Sequence, residues 1–237
     1  MRLATWNIRA GGGKRIPAIA DVILHEEPDV LVLTEYRPKP GLALLERLSP
    51  LNYHVVAGEP DGPHNSVCVL SKSRIRVHDC DRLPKSLHRW VSVATEFDGV
   101  VVLGVHVPNV SEVWNKREFL ECIDAFVKAN LDRHAVVIGD LNTARDEDCE
   151  GAFINEATYF NGYLECGWVD AWRRLHPEGR EFTWYSHKKN GFRLDHCLIS
   201  PSLVSCLRSA RYRHDVRNDG LSDHSSLHVE FAFEGVA

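Results

Sequence analysis

Nine polar residues stand where apolar stretches of this 237-residue chain stop: Asn7, Glu35, His106, Asn109, Asp140, Asn142, Asp195, Asp223 and His224. The sharpest case is Val136-Val137-Ile138-Gly139-Asp140-Leu141-Asn142. A β-branched run of this kind reads as a buried strand. Asp140 and Asn142 then leave the core at its C-terminal end, where α/β folds commonly place their chemistry. Taken singly, each of the nine has a plainer use: Asp and Asn form turns, and a histidine at a strand exit can be a satisfied core residue. Taken together they gather carboxylates, amides and two histidines, a set that suits an oxygen-rich site for a hard divalent ion. Mg²⁺ prefers carboxylates, carbonyls and water and is often completed by substrate phosphate. No HExxH spacing points to zinc, and Gly11-Gly12-Gly13-Lys14 lacks the spacing of a phosphate-binding P-loop.

Such residues need elements to hold them. Residues 2–8 read as a strand that gives way to the permissive loop Gly11-Gly12-Gly13. Ile16, Ile19, Ala20, Ile23 and Leu24 recur at helical spacing, so a helix runs to about Glu27, where Pro28-Asp29 breaks it. Val30-Leu31-Val32-Leu33 is a second buried strand, leaving at Thr34-Glu35. A strand–helix–strand unit makes these two strands neighbours, which brings Asn7 and Glu35 together. Leu42, Leu45 and Leu48 mark another helix. Strands are expected at 53–57, 66–70, 75–80, 90–97 and 100–107, several joined by tight turns such as Asp98-Gly99. Consecutive hairpins predict mixed or antiparallel sheets. A helix over 112–130, with Val113, Phe119, Leu120, Ile123, Phe126 and Val127 on its apolar face, leads into the Asp140 strand. Asp146-Glu147-Asp148 with Glu150 reads as a solvated loop. Residues 153–172 read as one or two short helices, 181–185 as a short strand or aromatic loop, and 193–199 as a strand. Leu221-Ser222-Asp223-His224 is a polar turn before a final strand over 226–233. No repeat, low-complexity linker or boundary interrupts the chain, which predicts one domain over 1–237.

Composition narrows the class. With 44% hydrophobic and 26% charged residues the chain is an ordinary globular one. No apolar run approaches the roughly 18 residues of a membrane span, and the first residues carry no long apolar leader. Seven cysteines without CxxC spacing argue for buried thiols in a reducing, cytoplasmic setting. A formal charge of −5 excludes a bulk-basic nucleic-acid binder but leaves room for a local basic face.

The ordered pieces Thr5-Trp6-Asn7-Ile8-Arg9, Pro28-Asp29-Val30-Leu31-Val32-Leu33-Thr34-Glu35, His106-Val107-Pro108-Asn109, Gly139-Asp140-Leu141-Asn142, Phe182-Thr183-Trp184-Tyr185, Arg193-Leu194-Asp195 and Ser222-Asp223-His224 resemble the endonuclease/exonuclease/phosphatase superfamily. Within it they are most similar to exonuclease III-type abasic-site endonucleases. The resemblance implies an α/β fold of four layers, two mixed β-sheets packed face to face and flanked by helices, as in DNase I. It implies Glu35 as the main metal carboxylate, with Asn7 and Asp223 nearby, for Mg²⁺ or a substituting Mn²⁺. Asp140 would orient or deprotonate the attacking water, and Asn142 would position it or hold a phosphate oxygen. His224 would contact the scissile phosphate, backed by Asp195, with His106 and Asn109 beside them. A carboxylate behind an imidazole fixes its tautomer and raises its pKa.

Substrate is read from the surroundings. Between His187 and Arg217 stand Lys188, Lys189, Arg193, Arg208, Arg211, Arg213 and Arg217 against only Asp195 and Asp215. This is either a solvated surface or a phosphate-tracking face for DNA, to which Arg9 would add. Trp184 either packs or lines a pocket for an extrahelical sugar or base. Two departures bear on specificity: His106 stands where abasic endonucleases usually carry Tyr, and the 185–192 connection is short. The expectation is a DNA-repair phosphodiesterase acting at abasic sites or 3′ ends, as a monomer. The alternatives are hydrolysis of a small phosphoester, phospholipid headgroup or RNA on the same fold, and a non-catalytic nucleic-acid-binding module.

Overall fold

The computed structural model describes residues 1–60, 62, 64–109 and 113–233, with side chains from 115 onward in the last of these spans. In chain order its strands are β1 (Arg2–Asn7), β2 (Val30–Tyr36), β3 (His54–Ala57), β4 (Ser66–Ser71), β5 (Ile75–Val77), β6 (Trp90–Thr95), β7 (Val101–His106), β8 (Ala135–Asp140), β9 (Val169–Asp170), β10 (Trp184–Tyr185), β11 (Gly191–Phe192), β12 (Asp195–Ile199), β13 (Leu207–Arg213) and β14 (Ser226–Phe231). The α-helices are α1 (Ile16–Glu26), α2 (Pro38–Arg47), α3 (Val113–Ala129), α4 (Ala157–Glu165), α5 (Ala171–Leu175) and α6 (Asp215–Asn218). Glu112, the expected start of the third helix, and the Val113 side chain lie outside the described residues.

Two six-stranded sheets form, ordered β13-β14-β1-β2-β4-β3 and β5-β6-β7-β8-β12-β9. Each contains one parallel pair, β1/β2 and β7/β8, and is otherwise antiparallel, so the mixed sheets expected from the hairpins are present. Side chains alternate across a strand, and β2 uses both faces. Val30 and Val32 point between the sheets to meet Val102, Val136 and Ile138. Leu31 and Leu33 point outward to Ile19 and Ile23 of α1 and Leu44 of α2. On the far side Val105, Val137 and Leu198 pack against Phe119 and Ile123 of α3 and Phe160 and Tyr163 of α4. The result is helix, sheet, sheet, helix, the four layers that the resemblance implied. All seven cysteines are free. No helix among the described residues is long and apolar enough to cross a membrane.

Three readings change. The fifth strand stops at Val77. Residues 207–213, taken as part of a basic run, form an edge strand that buries Leu207, Ala210 and Tyr212 between its arginines. Asp148 is not solvated: it is 2% exposed and bound to Arg193.

Candidate active site

Strand register does most of the assembly. In the second sheet His106 lies beside Asp140 across the β7/β8 pair, and Asp195 lies opposite Asp140 across β8/β12. Three predicted residues therefore share one row at the same end of three adjacent strands. Gly139 lets β8 run this close to β7. Its φ is +143°, and a Cβ there would sit 2.0 Å from the Val105 carbonyl oxygen. From the first sheet, Asn7 ends β1 beside Thr34, and Glu35 follows where β2 bulges against β4. Asn7 Nδ2 spans the gap between the sheets, donating to Asp140 Oδ2 at 3.0 Å and to Glu35 Oε1 at 3.3 Å. The turn before β14 brings in Asp223 and His224. Ser222 Oγ ties it down by donating to the Asn7 carbonyl at 2.5 Å and accepting from His224 N at 3.2 Å.

Asp195, His224 and Asp140 form a buried charged array. His224 Nδ1 donates to Asp195 Oδ2 at 2.8 Å, and its Nε2 stands 3.9 Å from Asp140 Oδ2. Burial opposes charge on His224, but the carboxylates of Asp195 and Asp140 outweigh it and carry the imidazole up to about 10. Burial carries Asp140 up to about 7, against the pull of His224 and the hydrogen bonds from Asn7 and from the Asn142 amide. Asp140 is thus a carboxylate poised to accept a proton near neutrality, beside an imidazolium. His106, 3.8 Å from the same oxygen, is the opposite case. Burial, with Arg89 and His224 nearby, takes it down to about 3, so it is neutral at pH 7.

A second group of oxygens faces the same space. Glu35 Oε2 accepts from Ala10 N at 2.7 Å and from Asn65 Nδ2 at 2.8 Å, and Asn65 Oδ1 in turn accepts from Arg37 Nε at 2.7 Å. Asp223 is partly exposed, with Arg9 Nε 3.8 Å away. Its Oδ1 is a buried carboxylate oxygen with no hydrogen-bond partner among the described residues. Two carboxylates on one cleft, one with an orphaned oxygen, suit a hard cation. Ligand atoms of Asp140, Asp195 and His224 also lie within 4.8 Å of one another. This cluster suits a cation less well, because His224 holds a proton on Nδ1 and carries positive charge. Arg9, Ala10, Glu35 and Asn142 all have positive φ, near +50°. For non-glycine residues this is strained backbone, of a kind that clusters at functional sites.

These groups open on a cleft of about 590 Å³. Of the predicted residues Glu35, His106, Asn109, Asp140, Asn142, Trp184, Asp223 and His224 line it, while Asn7 and Asp195 stand behind and hold the lining in place. Asn65, Arg89, Phe153, Phe192 and Leu194 also line it and were not foreseen. Lys116 was missed too: it is 1% exposed and donates from Nζ to the Asn142 carbonyl at 2.6 Å, bracing that loop from beneath. A signal for Lys116 was available, because it falls three, four and seven residues before the core positions Phe119, Leu120 and Ile123.

The basic face is corrected. Arg193 cannot touch a substrate. It is fully buried, bound through Nε and Nη2 to Asp148 and through Nη2 to Asp170 at 2.7 Å. Arg211 and Arg213 pair with Glu26, and Arg208 donates to the Ser205 and Leu207 carbonyls. Lys188 and Lys189 are exposed on the β10–β11 turn and outside the cleft lining. The alternation of β13 and internal carboxylates, neither visible in a charge count, divide the run.

The sequence model of the Endonuclease/Exonuclease/phosphatase family matches residues 4–224. A DNA-(apurinic or apyrimidinic site) endonuclease of Dictyostelium discoideum is 24% identical over 97% of this chain and 70% of its own length. An exodeoxyribonuclease of Bacillus subtilis is 26% identical over 97% of this chain and 98% of its own. Among solved structures, a 3′–5′ exonuclease from Neisseria meningitidis superposes with a TM-score of 0.82 at 26% identity, covering 98% of this chain and 100% of its own.

Proposed function

The chain belongs to the endonuclease/exonuclease/phosphatase family, and on that premise we propose that it is a Mg²⁺-dependent phosphodiesterase that cuts DNA at abasic sites or trims its 3′ ends. The relatives named as an abasic-site endonuclease and as an exodeoxyribonuclease support the substrate. The observation that carries the reaction is the array of Asp195, His224 and Asp140 at a cleft that Glu35 and Asp223 also line.

In this reading Glu35 and Asp223, with Asn7 adjoining, would hold the metal, which would supply positive charge against the phosphoryl and departing oxygens. Asp140, ionised near neutral pH, takes a proton from the attacking water. Asn142 fixes that carboxylate through its backbone amide, 3.1 Å from Asp140 Oδ1, and its side-chain amide, which gives one hydrogen to the Val107 carbonyl at 2.8 Å, has a second for the phosphate in the cleft it lines. The His224 imidazolium, with Nδ1 engaged by Asp195, turns Nε2 to a phosphate oxygen and stabilises the charge that builds there. Neutral His106 and Asn109 complete the polar lining. Trp184, Phe192 and Leu194 form the apolar wall on which the sugar rests.

The test is a substrate panel run in pairs, with Mg²⁺ and with EDTA: abasic duplex, 3′-blocked DNA, single strands, RNA and a phosphomonoester. Metal-dependent cleavage of the DNA substrates is expected. Turnover confined to RNA or the small ester would overturn the DNA assignment and leave the chemistry standing.

A further inference from the structure

Phe153 is 93% exposed on the rim of the cleft, the most exposed of the chain's large apolar side chains among the described residues. Its ring gives up nearly all the stabilisation that burial would bring, and yet its backbone is well tied. Before it, the Gly151 carbonyl accepts from Asn190 Nδ2 at 3.2 Å and the Ala152 carbonyl from Cys149 Sγ at 2.8 Å. After it, the Asn155 carbonyl accepts from Thr143 Oγ1 at 2.9 Å and from Lys116 Nζ at 3.4 Å. Ile154, its neighbour, turns inward to pack with Ala144, Cys149 and Leu194. The chain alternates in and out at this point, and a pinned loop holds the Phe153 ring outward at the mouth of the site.

The cleft beneath has two characters. Ile154, Leu194, Trp184 and Phe192 pack as one apolar cluster in its lining, Phe153 stands on the rim, and Glu35, Asp140, Asp223 and His224 supply the polar part. A ligand that fills both must join a flat apolar group to a phosphate. At about 590 Å³ the space suits a group of nucleotide size. Resting on the function proposed above, we infer that Phe153 is a stacking platform for a nucleobase next to the scissile phosphate. The enzyme then favours substrates in which that base is free to leave its partner, such as single strands and frayed 3′ ends, over closed duplex. An aromatic face accepts any base, so the platform selects for an accessible base and not for a sequence.

The experiment compares wild type, Phe153→Ala and Phe153→Tyr. Each is titrated in EDTA with a single-stranded oligonucleotide carrying 2-aminopurine beside the terminal phosphodiester, and fluorescence quenching reports stacking. Turnover with Mg²⁺ is measured on that oligonucleotide and on a matched one with base-less residues at the same positions. Wild type and Phe153→Tyr are expected to quench, and Phe153→Ala is not. Phe153→Ala should raise KM about tenfold more on the base-bearing strand than on the base-less one. Equal quenching by Phe153→Ala, or an equal change in KM on both strands, would overturn the inference while leaving the nuclease reading intact. A wild-type protein that binds and cleaves neither strand would overturn both. Phe153 is exposed, so its loss leaves the packing unchanged.

Discussion

His224 and Asp195 are joined by a 2.8 Å hydrogen bond from the imidazole Nδ1 to the carboxylate Oδ2, with both side chains buried. The bond fixes which nitrogen faces the cleft and keeps the ring charged. Asp195→Asn removes the charge but keeps the shape. With Asp140 raised to about 7 and His224 to about 10, kcat/KM in wild type should rise through the first value and fall through the second. In Asp195→Asn the alkaline limb moves down, since the carboxylate that contributes most to raising His224 is gone, and kcat falls ~100-fold. A pH–rate profile checks both. An unmoved alkaline limb would separate His224 from the reaction.

Asn65 gives a prediction about the ion. Its amide, steered by Arg37, holds one oxygen of Glu35 in place. Partners of this kind are worth roughly 10- to 100-fold in metal affinity. Asn65→Ala should weaken Mn²⁺ binding by that factor in calorimetric titration while thermal stability stays near wild type. Unchanged affinity would show that Glu35 needs no such support or is not a ligand.

Arg193 gives a prediction about stability. Its guanidinium neutralises Asp148 and Asp170, both buried, and both are held below the usual carboxylate range. Burial acts against that shift, and the charge and hydrogen bonds of Arg193 overcome it. Arg193→Met takes the guanidinium from Asp170 and leaves Asp148 with only Arg173, at 2.7 Å, and the more distant Arg145, and should cost about 3–5 kcal/mol in denaturant unfolding. The sign with pH follows. Carboxylates with depressed folded pKa values stabilise the fold above their unfolded value of about 3.9, and that contribution is lost as pH falls below it. Wild-type stability should therefore drop at acid pH, and Arg193→Met should be much less sensitive there. Parallel acid profiles for the two proteins would contradict the role given to the network.

The sites that sequence made legible, and those it hid, differ in what fixes them. Asp140, Glu35 and Asn7 were readable because a run of buried β-branched residues that stops at a carboxylate or amide has a clear period and a clear end. Register then placed His106, Asp140 and Asp195 in one row. Arg193 was misread because its partners, Asp148 and Asp170, are remote in sequence, and only the folded chain brings them together. The same holds for Asn65, whose value comes from Glu35 on the next strand. β13 was hidden by arginines on its exposed face and by a bulge between Leu207 and Ser209. Lys116 was legible in principle from its place on the apolar face of α3, but a lysine among core positions is ordinarily discounted.

Lys116 offers a further test because it touches backbone alone. Its ammonium meets the carbonyls of Asn142 and Asn155, and burial lowers its pKa. Lys116→Met removes those donors without entering the cleft. The Asn142 loop then loses its brace, and kcat should fall at least tenfold with KM little changed, because small displacements of reacting groups are costly. Steady-state kinetics distinguish this from a loss of binding, which would raise KM instead.

The central claim is that Asp140 is the base on a metal-assisted phosphodiester cleavage. It is tested most directly by single-turnover cleavage of a DNA phosphodiester by Asp140→Asn in saturating Mg²⁺, with substrate affinity measured on the same protein. A rate reduced at least 100-fold at nearly unchanged affinity is the result expected. A rate close to that of wild type would contradict it.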